Sequence, residues 1–374
     1  MNAVLQALRL LPPVIKTMLN EKDIIYRETS KKKELCVGIQ TLVRDFWRNP
    51  IAPGVCLTMQ PGGFFHALHT VLRTTDDDWH RPGQQSDAGE AIQYLLDGIH
   101  DASYRPVLME IVGKKNIKNA DDKSQHDAIS SWVTYYSKEY SSIVENFHGQ
   151  YRCVTTCSSC ENTSENFEPW MILKVPIPGS ETAGAPAPTL DECIKQAFHE
   201  ETLDDYACDK CKTRGKATQQ VSISKLPDVV IIQIKRFTNM GRKVNGLISW
   251  SPADTDLSPY TAYKRDPYSN MPMDPHYTTL SVIDHMGGTG GGHYKMCTRQ
   301  EGSWLEYDDG ACRVMDAAHV VSPHNYILVM MRTTALERHF TEGITAIRSF
   351  RDLETRKKEE KQEKQEKQEK AEEA

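Results

Sequence analysis

The sequence predicts an α+β fold, and three features carry that reading. Helical periodicity fills the first third of the chain, and short alternating strand patterns fill the second half. Two Cys-x-x-Cys pairs lie in the stretch between. Helices gathered first and strands later argue against alternating βαβ units. The 374 residues suffice for one large domain or two ordinary ones. Hydrophobic residues at 39% and charged residues at 26% suit a packed core.

The chain opens on "MNAVLQALRL", where Val4, Leu8 and Leu11 recur at helical spacing beside Ala7. No Ser, Thr, Asp or Asn precedes this helix to cap its first free amides. "VGIQTLVRDFW" and "DAGEAIQYLLDGIH" are the clearest further helices, within a helical region reaching about Lys115. Near Cys153 the pattern shortens to alternating runs such as "FEPWMILKVPI". "GSETAGAPAP" (Gly179–Pro188) reads as a flexible surface connection. Then "LPDVVIIQIKRF", "HYTTLSVIDH", "HYKMCTR", "SWLEYDD" and "YILVMMR" read as strands of a sizeable sheet. A Pro-punctuated loop, Asp254–Pro275, separates the first two. The chain closes on "KKEEKQEKQEKQEKAEEA", a low-complexity stretch with favourable pairs at Glu360/Lys364, Glu363/Lys367 and Glu366/Lys370. It has no apolar stripe with which to dock, so a solvated helix or a partly disordered stretch is expected there, within a charged low-complexity C-terminal tail over 334–374.

Composition excludes several classes. No run approaches bilayer length, so no membrane partner is expected. The first twenty residues hold one arginine and no serine, and Pro12-Pro13 interrupts them, which argues against a transit peptide. A net charge of −6 offers no broad attraction to nucleic acid. Ten cysteines without a secretory signal suggest thiols, metal ligands or nucleophiles in a reducing compartment, the cytoplasm or nucleus.

Cys157 and Cys160 form one pair and Cys208 and Cys211 the other, with 47 residues between them. Each pair can grip a metal from a tight turn, and together they complete a closed four-sulfur Zn²⁺ site of structural type. A single pair would read equally as redox-active; two, both flanked by polar turn residues, favour zinc. Cys153 is out of register with them, and Cys36, Cys56, Cys193, Cys297 and Cys312 belong to no motif.

His293 stands where the Gly-rich run "GGTGGG" meets a strand, and Asp308 and Asp309 end the next one. An antiparallel hairpin brings His293 beside Asp308, the base-and-orienter half of a nucleophilic triad. Read on residues alone, a strand histidine is more often a packed or surface residue than a base.

Taken together, these stretches resemble the catalytic domain of the ubiquitin-specific protease (USP) family of deubiquitinases. "MNAVLQAL" resembles the helix directly after that family's Cys box. "QQSDAGEAIQYLLDGIH" is similar to its Gln-Gln-Asp-Ala-x-Glu segment, with Ser86 and Ala91 departing from the usual Gln and Phe. "CSSC" and "CDKC" resemble its zinc pairs, and "GGHYKMCTR…WLEYDD…YILVMMR" its His box and closing strands.

The resemblance implies a papain-like cysteine protease fold of thumb, palm and zinc-ribbon fingers over residues 1–333. The thumb would take about 1–115, the fingers about 150–215 and the palm about 220–333. It implies ubiquitin as partner, His293 as general base, Asp308 as its orienter and Asp309 as a supporting hydrogen-bond partner. It places Asp87, Glu90, Gly291 and Gly292 along ubiquitin's C-terminal tail; Asp87 and Glu90 read equally well as a solvated helix face. The glycines suit a cleft narrow enough to select a Gly-Gly terminus. In the family the nucleophilic Cys lies two residues before the Met matching Met1, with an oxyanion-hole Asn a few residues earlier. The 374 residues are therefore expected to be inactive alone, either as a deubiquitinase whose start lies upstream or as a ubiquitin-binding scaffold without turnover.

Overall fold

The computed structural model describes residues 1–20, 24–49, 60–75, 77, 80, 85–111, 117–179, 186–238, 241–288, 290–300 and 302–372. Cys56 and most of the connection expected at Gly179–Pro188 lie outside these residues. Among the described residues the α-helices are α1 (Asn2–Leu10), α2 (Pro12–Leu19), α3 (Lys33–Trp47), α4 (Gly62–Thr75), α5 (Ala88–Ser103), α6 (Ala120–Tyr136), α7 (Ser142–Phe147), α8 (Leu190–Ala197) and α9 (Leu336–Glu372). The strands are β1 (Gly149–Cys157), β2 (Thr163–Trp170), β3 (Ile172–Pro176), β4 (Glu201–Ala207), β5 (Arg214–Lys225), β6 (Val229–Lys235), β7 (Thr255–Asp256), β8 (His276–Gly288), β9 (Gly291–Gln300), β10 (Ser303–Asp308), β11 (Ala311–Met315) and β12 (Asn325–Arg332). Helices precede most strands, the α+β order expected.

The chain divides into two compact units, one of Met1–Ala7, Gln85–Gln93 and Tyr104–Ala335, the other of Leu8–Gln84, Tyr94–Ser103 and Leu336–Ala374. Met1–Ala7 and Gln85–Gln93 group with the strands in the first unit.

The first unit is built on two sheets. The larger runs β11-β10-β9-β8-β12-β6-β3, with β7 added on β8. All its pairings are antiparallel except β3 with β6. Its central strands β6 and β12 are buried almost throughout, and their sequences accordingly read as continuous apolar runs. Val230, Ile232, Ile234, Leu328 and Met330 form the heart of this core. Helix α8 closes over it, started by a capping box in which Thr189 and Glu192 satisfy each other's backbone amides. The loop at Asp254–Pro275 is better packed than its prolines suggest, since Tyr260 is buried and stacks on Phe198 at 5.1 Å.

The smaller sheet has the order β2-β1-β5-β4. Strand β4, "ETLDDYA", gives no sequence signal because nearly every side chain faces solvent. It is strand through pairing with β5 rather than through burial.

The second unit packs α2, α3 and α9 together. Val14, Ile15 and Met18 of α2 and Leu35, Ile39, Val43 and Phe46 of α3 are buried. Arg9 is buried too, its guanidinium 3.4 Å from the centre of the Phe46 ring, a cation–π placement. The C-terminal stretch differs from the free tail expected at 334–374. It is a helix, and its first half is docked: Phe350 and His339 are buried, Lys16 pairs with Glu342 at 3.2 Å, and Arg351 Nε donates to the Trp47 carbonyl at 2.8 Å. The docking residues precede the low-complexity repeat, which is why the repeat shows no apolar stripe. Among the described residues no helix is long and apolar enough to cross a membrane.

Phe350→Ala should cost about 3 kcal/mol, the usual penalty for emptying a buried aromatic site, read as a lower urea midpoint. Deleting residues 358–374 should change that midpoint by less than about 0.5 kcal/mol equivalent.

Candidate active site

Three neighbouring strands position the site. Across β8 and β9, Met286 pairs with His293 and Asp284 with Lys295; across β9 and β10 the ladder ends at Met296 opposite Tyr307. Beyond that point the side chains of β9 and β10 bridge the gap. His293 Nε2 lies 2.6 Å from Asp308 Oδ1. With an ionised Asp308 as acceptor, this bond fixes the Nε2–H tautomer and leaves Nδ1 for proton transfer. Both side chains stay reachable, 43% and 33% exposed.

The hairpin from β10 to β11 turns through Asp309 and Gly310, with Asp308 opposite Ala311. Asp309 has φ of 48°, the left-handed region that Asp enters more readily than most residues. The Asp309 carbonyl accepts a hydrogen bond from Asn2 Nδ2 at 3.0 Å. The first turn of α1 is thus tied to the hairpin that carries Asp308. Burial lowers the pKa of the Met1 amine, opposed by the charge of Asp309.

Asp308 has a second partner that sequence reasoning missed. Lys295 Nζ sits 2.7 Å from Oδ2, and with His293 it holds the carboxyl below its ordinary range. Lys295 is itself raised, chiefly by that same hydrogen bond. The ligand atoms of His293, Asp308 and Asp309 lie within 4.8 Å of one another, close enough to hold a cation. The ammonium on Asp308 competes for that place, so the trio is better suited to moving protons.

The glycine run forms the end of the β8–β9 hairpin. Gly287 has φ of 111°, and a Cβ there would meet the Gly291 carbonyl at 2.6 Å; a Cβ on Gly292 would strike the His285 ring and the Met286 carbonyl. Gln85, preceding α5, places its amide on Gly292, with Nε2 donating to the carbonyl at 2.6 Å and Oε1 accepting from the N–H. The Gln85 amide thereby occupies the backbone edge of Gly292, the residue before His293. Its only sequence signal is its place in "QQSDAGE".

The structure puts Asp87 immediately before α5, not on a shared helical face with Glu90. Its Oδ1 accepts from the Gly89 and Glu90 amides at 2.8 and 3.1 Å, the N-cap arrangement. Gln233 donates to Oδ1 at 3.1 Å and Tyr326 to Oδ2, which locks the cap to β6 and β12. Glu90 is exposed. His285 lies on the other side of the glycines, 3% exposed, with its ring against Tyr294, Phe237 and Tyr326. Burial, then the Lys243 charge, pushes it down to about 4.

The two cysteine pairs meet at one end of the smaller sheet, on the β1–β2 and β4–β5 hairpins. The two knuckles repeat one geometry. Cys157 N–H donates to the Asn162 carbonyl at 2.9 Å and Cys208 N–H to that of Thr213 at 3.0 Å, with Glu161 and Lys212 both at positive φ. Cys157 and Cys211 sulfurs are 3.9 Å apart, and those of Cys160 and Cys208 3.7 Å. A tetrahedron with ~2.3 Å metal–sulfur bonds has edges of about 3.8 Å, so the cluster can hold a metal ion. Amides of Ser159 and Cys160 lower the Cys157 thiol and Thr213 draws Cys211 down to about 6, whereas Cys160, although the Asn162 amide pulls it down, is pushed up to about 12 by burial and the neighbouring thiols.

Comparison with known proteins agrees with this geometry. The family profile described as ubiquitin carboxyl-terminal hydrolase matches residues 1–330. Ubiquitin carboxyl-terminal hydrolase Usp2 of Drosophila melanogaster is 29% identical over 314 residues, covering 82% of this chain and 31% of that protein. Ubiquitin carboxyl-terminal hydrolase 2 of Gallus gallus is 27% identical over 252 residues, 65% of this chain and 67% of that one. The chain spans about a third of the length of most of these relatives. Among solved structures, the SAGA DUB module of Ubp8, Sgf11, Sus1 and Sgf73 bound to monoubiquitin aligns with a TM-score of 0.62 at 20% identity. It covers 88% of this chain and 66% of that one, a likeness of fold.

The buried His285 should make the protein acid-sensitive. Its folded pKa lies below the unfolded value, so its contribution is complete above ~6.5 and is lost as pH falls toward 4. The loss reaches at most about 3 kcal/mol. Urea midpoints at pH 7 and 5 should differ less in His285→Gln than in the parent chain.

Proposed function

The chain belongs to the ubiquitin carboxyl-terminal hydrolase family, and on that premise we propose that it forms the base-bearing catalytic domain of a cysteine-type deubiquitinase. The reading rests on one observation: His293 is held by Asp308 at 2.6 Å, with the first turn of α1 tied to the same hairpin. The bond broken is the isopeptide bond between the terminal glycine of ubiquitin and a substrate lysine.

The chemistry follows from which nitrogen is free. A thiolate at the start of α1, favoured by the helix dipole, attacks the glycine carbonyl. Protonated Nδ1 of His293 gives its proton to the departing lysine amine. Water then attacks the thioester while Nδ1 takes its proton, releasing free ubiquitin and restoring the thiolate beside a protonated Nδ1. Asp308 keeps Nε2–H engaged throughout and stabilises the imidazolium.

Cys297, the cysteine nearest His293 in sequence, is no substitute: it is buried, and burial pushes its thiol up to about 12. The resemblance of α1 to the helix that follows the family's Cys box places the nucleophile, in this reading, ahead of Met1. Zn²⁺ is the metal we assign to Cys157, Cys160, Cys208 and Cys211, in a structural role, since four thiolates leave no open position. Ubiquitin and its conjugates are the partners, and the cytoplasm or nucleus is the compartment.

The 374 residues should not form an adduct with ubiquitin carrying a C-terminal electrophile. The chain extended by an Asn-x-x-x-x-Cys-Tyr segment should, and His293→Ala should then cost about 10³-fold or more in turnover. Saturable ubiquitin binding by an extended chain without turnover would support the scaffold reading instead; no binding defeats both. Metal analysis should find one zinc per chain, and a strong chelator should lower the melting temperature of the parent chain but not of Cys208→Ser.

A further inference from the structure

We propose that Lys295 is a positioning residue of this site, holding the Asp308 carboxylate toward His293 and weighting the imidazole toward its neutral, proton-accepting form. This rests on the reading of His293 and Asp308 as base and orienter, and adds a third member to them.

Five side chains alternate in sign along one face of β9, β10 and β11. Arg313 Nη2 meets Glu306 Oε1 at 2.5 Å, and Lys295 Nζ lies 3.8 Å from the same oxygen. Lys295 then reaches Asp308 Oδ2 at 2.7 Å, and Asp308 Oδ1 reaches His293 Nε2 at 2.6 Å. Lys295 and Glu306 are largely enclosed, with side chains 20% and 12% exposed, whereas Arg313 is 68% exposed. An ammonium in such a place is retained only with partners, and it has two.

The first consequence is geometric. A carboxylate anchored through one oxygen turns about its last torsion, while one anchored through both cannot. Lys295 supplies the second anchor, so the first points steadily at the imidazole.

The second consequence is electrostatic. With neutral His293, the charges of Arg313, Glu306, Lys295 and Asp308 cancel. A proton on His293 takes the cluster to +1. Without Lys295 the same proton takes it from −1 to zero, which is easier. Lys295 thus opposes the imidazolium that Asp308 favours. The other charged groups facing the cluster are few. Asp309 sits in the turn and the Met1 amine interacts with it. Asp284, opposite Lys295 on β8, is engaged by Asn325 and Ser322. His285 pairs with Tyr294 and so points to the opposite face of the sheet.

The test is an NMR titration of histidine-labelled protein in the 374-residue chain, which needs no nucleophile. Lys295→Met should raise the pH at which His293 titrates by about half a pH unit or more, as expected for loss of a unit charge held on the far oxygen of the same carboxylate. Lys295→Arg should leave that midpoint in place. Glu306→Gln, which leaves the ammonium less opposed, should lower it, and serves if the methionine variant does not fold. An unmoved midpoint in folded Lys295→Met, or in folded Glu306→Gln if the former fails to fold, overturns the proposal. Absence of the Nε2–H tautomer from the parent chain would instead overturn the base-and-orienter reading.

Discussion

The register of β9 between β8 and β10 is the constraint on which the site depends. His293 and Lys295 share a face only because they are two apart on one strand. They meet Asp308 only because β10 runs beside β9 in the alignment that pairs Met296 with Tyr307. A slip of one residue would send Asp308 through the sheet to the other face. The glycines at 287 and 292 allow a backbone approach between β8 and β9 that any side chain would block, and the two-residue turn at Asp309-Gly310 aligns β10 in turn with β11.

Behind that register stands a buried polar frame. Arg236 is fully buried and donates to the carbonyls of Asn325, Val244 and Gly246 at 2.7, 3.1 and 3.1 Å. Asn325, also fully buried, passes the connection on: its Nδ2 donates to Asp284 at 2.8 Å, and its Oδ1 accepts from Trp250. Asp284 is the residue opposite Lys295. Burial raises its pKa even though Asn325 and Ser322 pull the other way. Charged groups this deep are tolerated because nearly every polar atom is satisfied, and such a network fixes one arrangement of β8, β12 and the 241–250 loop. Lys243 adds to it by donating to the His285 carbonyl at 2.6 Å.

The parts of this protein that sequence made legible are those whose signal is local. β6 and β12 announce themselves as apolar runs, and each cysteine pair sits in its own turn. His293 and Asp308 were readable because a hairpin is the simplest way to connect them. The partners that complete the site were not readable. Lys295 has no periodicity to mark it, since its importance comes from Asp308 on the next strand. Gln85 reaches Gly292 across 207 residues. Asp87 was readable as part of a motif, but its role as cap and as anchor for Gln233 and Tyr326 depends on where two distant strands fall. The docked half of α9 was obscured by the charged repeat that follows it.

The smaller sheet shows why four thiols cluster at its end. In β2 the residues nearest the knuckle are all exposed, and β4 has no buried residue at all. Each knuckle also carries a non-glycine residue at positive φ, a conformation with its own cost. Hydrophobic burial therefore supplies little to hold the two hairpin ends together, and an arrangement of this kind needs another source of cohesion. Joining pairs separated by 47 residues also closes a long loop, which is costly for weak contacts and readily met by a strong cross-link. Sulfur separations near a tetrahedral edge are what such a cross-link through one metal ion demands. The sheet is thus held at its base by core, and the four thiols at its tip are placed where one metal ion could join the two hairpins.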